Sequence, residues 1–81
     1  MDIPRLVSAT ALDDYILLLE YDNGESRSYD FKPNLSHPFY RQLENMKLFK
    51  TVYVTDGEIG WVSGQDFCPH TLYLRSSSEE L

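Results

Sequence analysis

The sequence predicts a small α+β domain, with an antiparallel-rich sheet built from two β-hairpins and an N-terminal strand. One helix is expected to pack on one face of the sheet, and a short helical turn is expected near the C-terminus. Alternating apolar and polar residues flank Asn23-Gly24 and Asp56-Gly57, dipeptides typical of two-residue hairpin turns. The stretch between the hairpins has helical spacing instead. The 81 residues fit one domain, predicted over residues 1–75, with a disordered tail over residues 76–81.

The N-terminal strand and the first hairpin are predicted from the alternation of apolar and polar residues, which has the two-residue period of a β-strand. The strand is indicated by apolar residues that alternate with polar ones: Val7, Ala9 and Ala11. A two-residue loop at Asn23-Gly24 places Leu18 opposite Tyr29, so that one face, expected to be the core face, carries Ile16, Leu18, Tyr29 and Phe31. The other face carries Leu17, Leu19 and Tyr21. Because a bare apolar patch favours association, either the N-terminal strand or a second copy of the chain should cover this face, and we expect a homodimer.

The single helix is predicted over residues 37–45. Ser36 can cap its first turn, where Pro38 is tolerated. Three apolar residues recur at helical spacing and are expected to face the sheet: Phe39, Leu43 and Met46. His37 is expected to be exposed and to have no ligand role, because no second metal-ligating residue follows at helical spacing.

The second hairpin and the C-terminal segment complete the predicted core. The turn at Asp56-Gly57 places Val54 opposite Ile59 and Val52 opposite Trp61, which makes Trp61 a predicted core anchor. After Gly64, a short helical turn is expected. In this turn Asp66 is expected to be the cap, Pro69 to lie in the first turn and Leu72 to face the core.

Charge and composition limit the classes of partner. Seven basic residues against thirteen acidic ones give a net charge of −6, and no basic cluster exists for binding a nucleic-acid backbone. The acidic balance fits solubility and also a basic protein partner. No apolar run is long enough for a transmembrane helix and no signal peptide is recognisable, so no membrane association is expected. The single cysteine fits a reducing cytoplasm.

Asp66, Cys68 and His70 lie close together and invite a catalytic or metal interpretation. Zinc takes about four ligands, and one short turn does not easily direct three of them at one ion, so no metal site is expected. A thiol nucleophile needs a lowered pKa and an aimed base, whereas the Asp66 carboxylate should raise the pKa of Cys68. Asp66 as a cap, Cys68 half-buried and His70 solvated is the favoured interpretation. No catalytic residue is assigned, and an enzymatic activity is not expected.

Strings from both hairpins and the C-terminal segment, YDNGESRSYDFKP and GWVSGQDFCPHTLY, combine into one pattern. Over about residues 5–74 the chain resembles the bacterial family called domain of unknown function 2442. The matching positions are Gly24, Glu25, Asp30, Trp61, Gly64, Asp66, Pro69, Leu72 and Tyr73. His70 departs from the acidic residue expected after the proline. The resemblance implies a small bacterial α+β protein, with some relatives joined to a helix-turn-helix domain and no established activity.

These observations predict a non-catalytic protein-interaction or regulatory module of the bacterial cytoplasm, acting without a cofactor. Its partner would be a protein, with a toxin–antitoxin-type pair as one form of the arrangement. The alternative is a small-ligand-binding or enzymatic domain that uses the end of the chain around Trp61, Asp66 and His70. With Gly64, these three are the candidate binding residues.

Overall fold

The computed structural model describes residues 3–78, and the predicted α+β class is confirmed. The strands are β1 (Leu6–Ala11), β2 (Ile16–Tyr21), β3 (Ser26–Asp30), β4 (Tyr53–Thr55), β5 (Glu58–Gly60), β6 (Asp66–Phe67) and β7 (Ser77–Ser78). The helices are two 3-10 helices, Lys32–Ser36 and Pro38–Glu44, and two short α-helices, α1 (Met46–Phe49) and α2 (Pro69–Arg75). Within residues 3–78 the strands form two antiparallel sheets, ordered β1-β2-β3-β7 and β4-β5-β6. The two predicted hairpins therefore lie in separate sheets rather than in one.

The loop of the first hairpin has three residues rather than two. The N–H of Tyr21 donates a hydrogen bond to the carbonyl oxygen of Glu25 (3.0 Å), and the N–H of Gly24 donates to the carbonyl oxygen of Tyr21 (3.1 Å). Gly24 lies in the left-handed region at φ 90°, as the third residue of such a loop does. The register of the hairpin is thereby shifted by one residue from the predicted one.

This shift moves every side chain of one strand to the other face relative to its partner. Leu17, rather than Leu18, lies opposite Tyr29, and Leu17 and Tyr29 are buried. Leu18 lies opposite Ser28 and is only half-buried, as is Ile16. The prediction that Ile16 and Leu18 belong to the core face is therefore wrong.

The face that was expected to need a partner is the core face. Leu17, Leu19 and Tyr21 are at most 5% exposed and belong to the main core cluster of the chain. The apolar patch on which the expected homodimer depended is thus covered within one chain and offers no surface to a second copy.

The helix predicted over residues 37–45 is present as the 3-10 helix Pro38–Glu44, and a separate 3-10 helix, Lys32–Ser36, precedes it. The backbone of His37 is extended (φ −77°, ψ 131°), because the following Pro38 disfavours the helical region at the residue before it. Ser36 is not the cap. Instead, Nδ1 of His37 accepts a hydrogen bond from the N–H of Phe39 (3.1 Å). Leu43 is buried as predicted, but Phe39 is 50% exposed, since the tighter 3-10 turn changes which residues face the sheet.

The second hairpin has the predicted register. Asp56 and Gly57 have φ values of 50° and 79°, as both central residues of a type I′ turn require. Val54 lies opposite Ile59. Trp61, which follows β5, is 1% exposed, so its predicted core position is confirmed.

A further hairpin, absent from the sequence-based prediction, joins β5 to β6. The N–H of Trp61 donates to the carbonyl oxygen of Gln65 (2.9 Å), and Gly64 closes this three-residue loop at φ 102°. Asp66 is therefore a strand residue and not the cap of α2.

Cys68 occupies the cap position of α2 and is exposed rather than half-buried. Pro69 stands in the first turn and Leu72 is fully buried, both as predicted.

Residues 76–78, which were expected to belong to a disordered tail, lie within the fold. Ser77 and Ser78 form β7 and pair with β3. Arg27 of β3 holds the segment, since its Nε donates to Oγ of Ser76 (2.6 Å) and its Nη2 donates to the carbonyl oxygen of Ser76 (2.8 Å). Residues 79–81 lie outside the described residues, and the domain extent of residues 1–75 stays a prediction.

One aromatic cluster joins the two sheets. Phe31, directly after β3, lies 5.2 Å from Trp61 and 5.8 Å from Phe49 between ring centroids. Helices across residues 3–78 are too short or too polar to span a membrane.

Candidate functional site

Trp61, the most prominent of the predicted binding residues, faces the core. Its Nε1 donates a hydrogen bond to the carbonyl oxygen of Phe49 (3.0 Å), which satisfies the indole N–H inside the protein. Gly64 supplies the left-handed backbone of the adjoining loop, and a Cβ there would meet no atom within 4 Å. These two residues thus position strands β5 and β6, and the indole of Trp61 is not available to a ligand.

Asp66 and His70 are both exposed, but Asp66 lies on the other side of the sheet from Trp61. Asp66 pairs with Gly60, the residue before Trp61, and side chains alternate between faces along a strand. The carbonyl oxygen of Asp66 accepts a hydrogen bond from the hydroxyl of Tyr40 (2.8 Å). The structure therefore does not bring Trp61 and Asp66 into one site.

A shallow groove lies on the face of the β4-β5-β6 sheet that points away from the core. We call this the outer face, and its residues are Tyr53, Thr55, Glu58, Gly60 and Asp66. They share one face because Tyr53 and Asp66 both lie opposite Gly60, and Thr55 lies opposite Glu58. Together with Ile59 they line a groove of about 180 Å³.

Gly60 forms the middle of the outer face, and the ring of Tyr53 lies across it. A Cβ at Gly60 would lie 3.0 Å from the hydroxyl oxygen and 3.1 Å from Cζ of Tyr53. Tyr53 is nevertheless 48% exposed. The missing side chain at Gly60 thus allows Tyr53 to lie against the sheet as an accessible aromatic wall.

Two carboxylates, those of Glu58 and Asp66, give the groove its charge. They are diagonal neighbours on adjacent strands, a relation that places such residues about 7–8 Å apart. Both residues are exposed. Within residues 3–78, the ion pairs use other acidic residues, namely Asp13, Glu25, Asp30 and Asp56. The groove is therefore an anionic surface with no basic residue in its lining.

Of the groove residues, only Asp66 was a sequence-based candidate. The predicted register of the second hairpin already places Tyr53 opposite Gly60 and on the side away from Trp61. The outer face of the β4-β5 hairpin could therefore have been predicted from that register. The strand β6, which contributes Asp66, was not predicted.

A second polar cluster ties the first hairpin to α2. One carboxylate oxygen of Glu25 accepts hydrogen bonds from the side chains of Asn23 (2.7 Å) and Tyr73 (2.8 Å), and the other lies 2.9 Å from Nη1 of Arg27. The Asn23 and Tyr73 hydrogen bonds, followed by that of Arg27, hold the pKa of Glu25 below its ordinary value. The Arg27 guanidinium also lies over the Tyr73 ring, 4.4 Å from its centroid. The cluster is internally paired and its geometry is that of a structural clamp.

Other positions in the family pattern have structural contacts as well. Asp30 accepts a hydrogen bond from the N–H of Lys32 (3.0 Å) at the start of the first 3-10 helix, and this bond lowers the pKa of Asp30. Gly24 closes the three-residue loop, and Pro69 and Leu72 begin and anchor α2.

Cys68 differs from expectation in its acidity. The N–H and hydroxyl of Thr71, followed by the N–H of His70, favour the thiolate and lower the pKa of Cys68, although the neutral thiol makes no cap hydrogen bond. The expectation that Asp66 raises this pKa is wrong. In the part of the chain that the structure describes, no cluster of three or more histidine, cysteine or acidic residues could hold a metal ion.

Comparison with known proteins gives one match. The model of a family described as "Protein of unknown function (DUF2442)" matches residues 6–78. No curated protein and no solved structure matches the chain.

Proposed function

The chain belongs to the DUF2442 family, whose function is unknown, and we propose that it is a non-catalytic protein-interaction module. In this proposal the outer face binds a basic protein partner. The observation that carries it is the groove itself, where two carboxylates that form no ion pair within residues 3–78 lie beside an exposed tyrosine on a three-stranded sheet. A chain with a net charge of −6 would also attract such a partner at long range.

The size of the groove favours a protein partner over a metabolite. Pockets for drug-sized small molecules commonly enclose about 300–1,000 Å³. The groove encloses about 180 Å³, which suits a single side chain of a larger molecule. The burial of Trp61 further weakens the alternative of a small-ligand or enzymatic site that uses Trp61, Asp66 and His70.

In this proposal the protein acts in the bacterial cytoplasm. One form of the interaction is a toxin–antitoxin-type pair, in which the partner is encoded in the same operon. A homodimer is not part of the proposal, because the apolar face that suggested it is buried.

The proposal is tested by comparing the protein partners captured by the wild-type chain with those captured by a variant whose outer face has lost its negative charge. The wild-type chain and the Glu58→Gln/Asp66→Asn double variant are immobilised and exposed to a bacterial lysate. Any retained protein is then identified, purified and titrated against both chains. We expect a basic partner that binds the wild type and binds the double variant at least ten-fold more weakly.

Glu20→Gln is the matched control, since Glu20 is an exposed strand residue outside the groove. It should bind the partner as the wild type does. A partner that binds the double variant as tightly as the wild type would contradict the proposal. So would a metabolite that raises the melting temperature while no purified partner binds.

A further inference from the structure

We infer that the outer-face groove binds the side chain of an arginine presented by the partner. The inference rests on the proposed function and adds to it the chemical group that is recognised. It depends on three features of this groove. They are the exposed ring of Tyr53, which we call the aromatic wall, the carboxylates of Glu58 and Asp66, which we call the anionic rim, and a volume of about 180 Å³, which suits a single side chain.

The aromatic wall is Tyr53. Its ring is held across Gly60 and stays 48% exposed, so a planar cation can stack on it. The face of an aromatic ring attracts guanidinium and ammonium groups, with arginine the more frequent partner. Arginine is also the more weakly hydrated of the two basic side chains, so that bringing it against a ring costs less desolvation.

The anionic rim consists of Glu58 and Asp66. The two residues are diagonal neighbours on one face of the sheet, with Cα atoms about 7–8 Å apart, so that one basic side chain can approach both carboxylates. A guanidinium has five N–H donors in a fixed plane and can donate to both carboxylates at once, whereas an ammonium is a compact point charge. A pair of carboxylates that one side chain can approach together therefore favours arginine over lysine.

The same chain shows this type of contact internally. The Arg27 guanidinium lies 4.4 Å from the centroid of Tyr73 while its Nη1 lies 2.9 Å from the Glu25 carboxylate. The groove offers two of these three components, a tyrosine ring and carboxylates, and no basic residue lines it.

The inference is tested with blocked tripeptides and the full chain in solution. Acetyl-Gly-Arg-Gly-amide is titrated against the ¹⁵N-labelled protein. Acetyl-Gly-citrulline-Gly-amide, which has nearly the same shape but no charge, and the lysine peptide are titrated in parallel. We expect the arginine peptide to bind with a Kd in the millimolar range, shifting the amide signals of Thr55, Glu58, Gly60 and Asp66. The lysine peptide should bind at least three-fold more weakly, and the citrulline peptide should cause no saturable shift.

Variants of the groove provide the second measurement. Glu58→Gln/Asp66→Asn should weaken arginine binding at least five-fold, as should Tyr53→Ala, while Glu20→Gln should leave it unchanged. The amide spectrum of each variant confirms that it is folded. Equal binding of the arginine and citrulline peptides, equal or tighter binding of lysine, or shifts centred away from the outer face would each overturn the inference.

The outcome is separable from that of the proposed function. A purified partner that needs Glu58 and Asp66 while the arginine peptide fails to bind would leave the interaction module intact and refute arginine recognition. An arginine peptide that binds as expected, in a chain whose partner ignores the double variant, would refute the proposed role of the groove in partner binding instead.

Discussion

At the scale of single residues, Tyr21 and Tyr73 differ in how their hydroxyl groups are satisfied. Their rings are in edge contact, with 5.2 Å between centroids. The hydroxyl of Tyr73 donates a hydrogen bond to the Glu25 carboxylate (2.8 Å). The hydroxyl of Tyr21 is buried, and within residues 3–78 it has no hydrogen-bond partner. The same Tyr→Phe change should therefore have opposite consequences at the two positions.

We expect Tyr73→Phe to lower the free energy of unfolding, because it deletes a hydrogen bond to a carboxylate. Tyr21→Phe should leave it unchanged or raise it by up to about 1 kcal/mol, because it removes an unsatisfied buried hydroxyl. Urea titration of both variants at neutral pH measures the difference. Equal losses would contradict the assignment of the two hydroxyls.

Burial also raises the pKa of Tyr21 from 10.0 to about 12. Between these values the unfolded chain has lost a proton that the folded chain keeps, so wild-type stability should fall as pH rises from 10 to 12. The fall should be smaller in Tyr21→Phe, which has no such proton.

The lowered pKa of Cys68 gives a second residue-scale prediction. Alkylation by iodoacetamide follows the thiolate, so its rate should reach half-maximum at a lower pH in the native chain than in the chain unfolded in urea. Thr71→Val should move the native midpoint upward, because the Thr71 hydroxyl is one of the groups that favour the thiolate. A remote substitution of the same kind, Thr10→Val, should not. Identical midpoints in the native and unfolded chains would contradict the prediction.

At the scale of elements, three hairpin loops share one form. Each has three residues, and the last of them has a positive φ: Tyr15 at 64°, Gly24 at 90° and Gly64 at 102°. Among the hairpin loops within residues 3–78, only the Asp56-Gly57 loop is a two-residue type I′ turn. An Asn-Gly pair fits both forms, since glycine can be the second residue of one or the third of the other. Local sequence therefore predicted the presence of the first hairpin but not its register.

Leu18 and Leu19 test that register directly. Leu19 is 1% exposed, so Leu19→Glu buries a carboxylate and should cost more than about 4 kcal/mol, enough to unfold much of the chain. Leu18 is half-buried on the other side of β2, and Leu18→Glu should cost about 1 kcal/mol. Circular dichroism and urea titration distinguish the two. A two-residue loop would reverse the order, with Leu18→Glu the unfolding variant.

At the scale of the whole molecule, the sequence predicted best what depends on local pattern. The fold class, the second hairpin and the burial of Trp61 and Leu72 all follow from periodicity and one glycine turn. The helix predicted over residues 37–45 is present as the 3-10 helix Pro38–Glu44 rather than as an α-helix, and the 3-10 helix Lys32–Ser36 before it was not predicted. The outer-face groove required β6, whose two residues are too few to show a period. Its position is set by pairing with β5, which is a tertiary contact.

The two sheets share one core, and Trp61 is the residue that tests this. It contacts Phe31 from the end of the first sheet and Phe49 of α1, with centroid distances of 5.2 Å and 6.3 Å. We expect Trp61→Ala to lower the free energy of unfolding by about 3–5 kcal/mol. Because small domains have only about 5–15 kcal/mol in total, Trp61→Phe is measured alongside it as a milder variant.

The loss should extend to both sheets. Amide hydrogen exchange of Trp61→Phe should show protection falling by a similar factor in β2 and β3 as in β4 and β5, since a shared core opens as one cooperative unit. Protection lost only in β4 and β5 would mean that the four-stranded sheet is stable without Trp61. In that case the outer face would be carried by a separately unfolding element, and partner binding would depend on the stability of that element rather than on that of the whole chain.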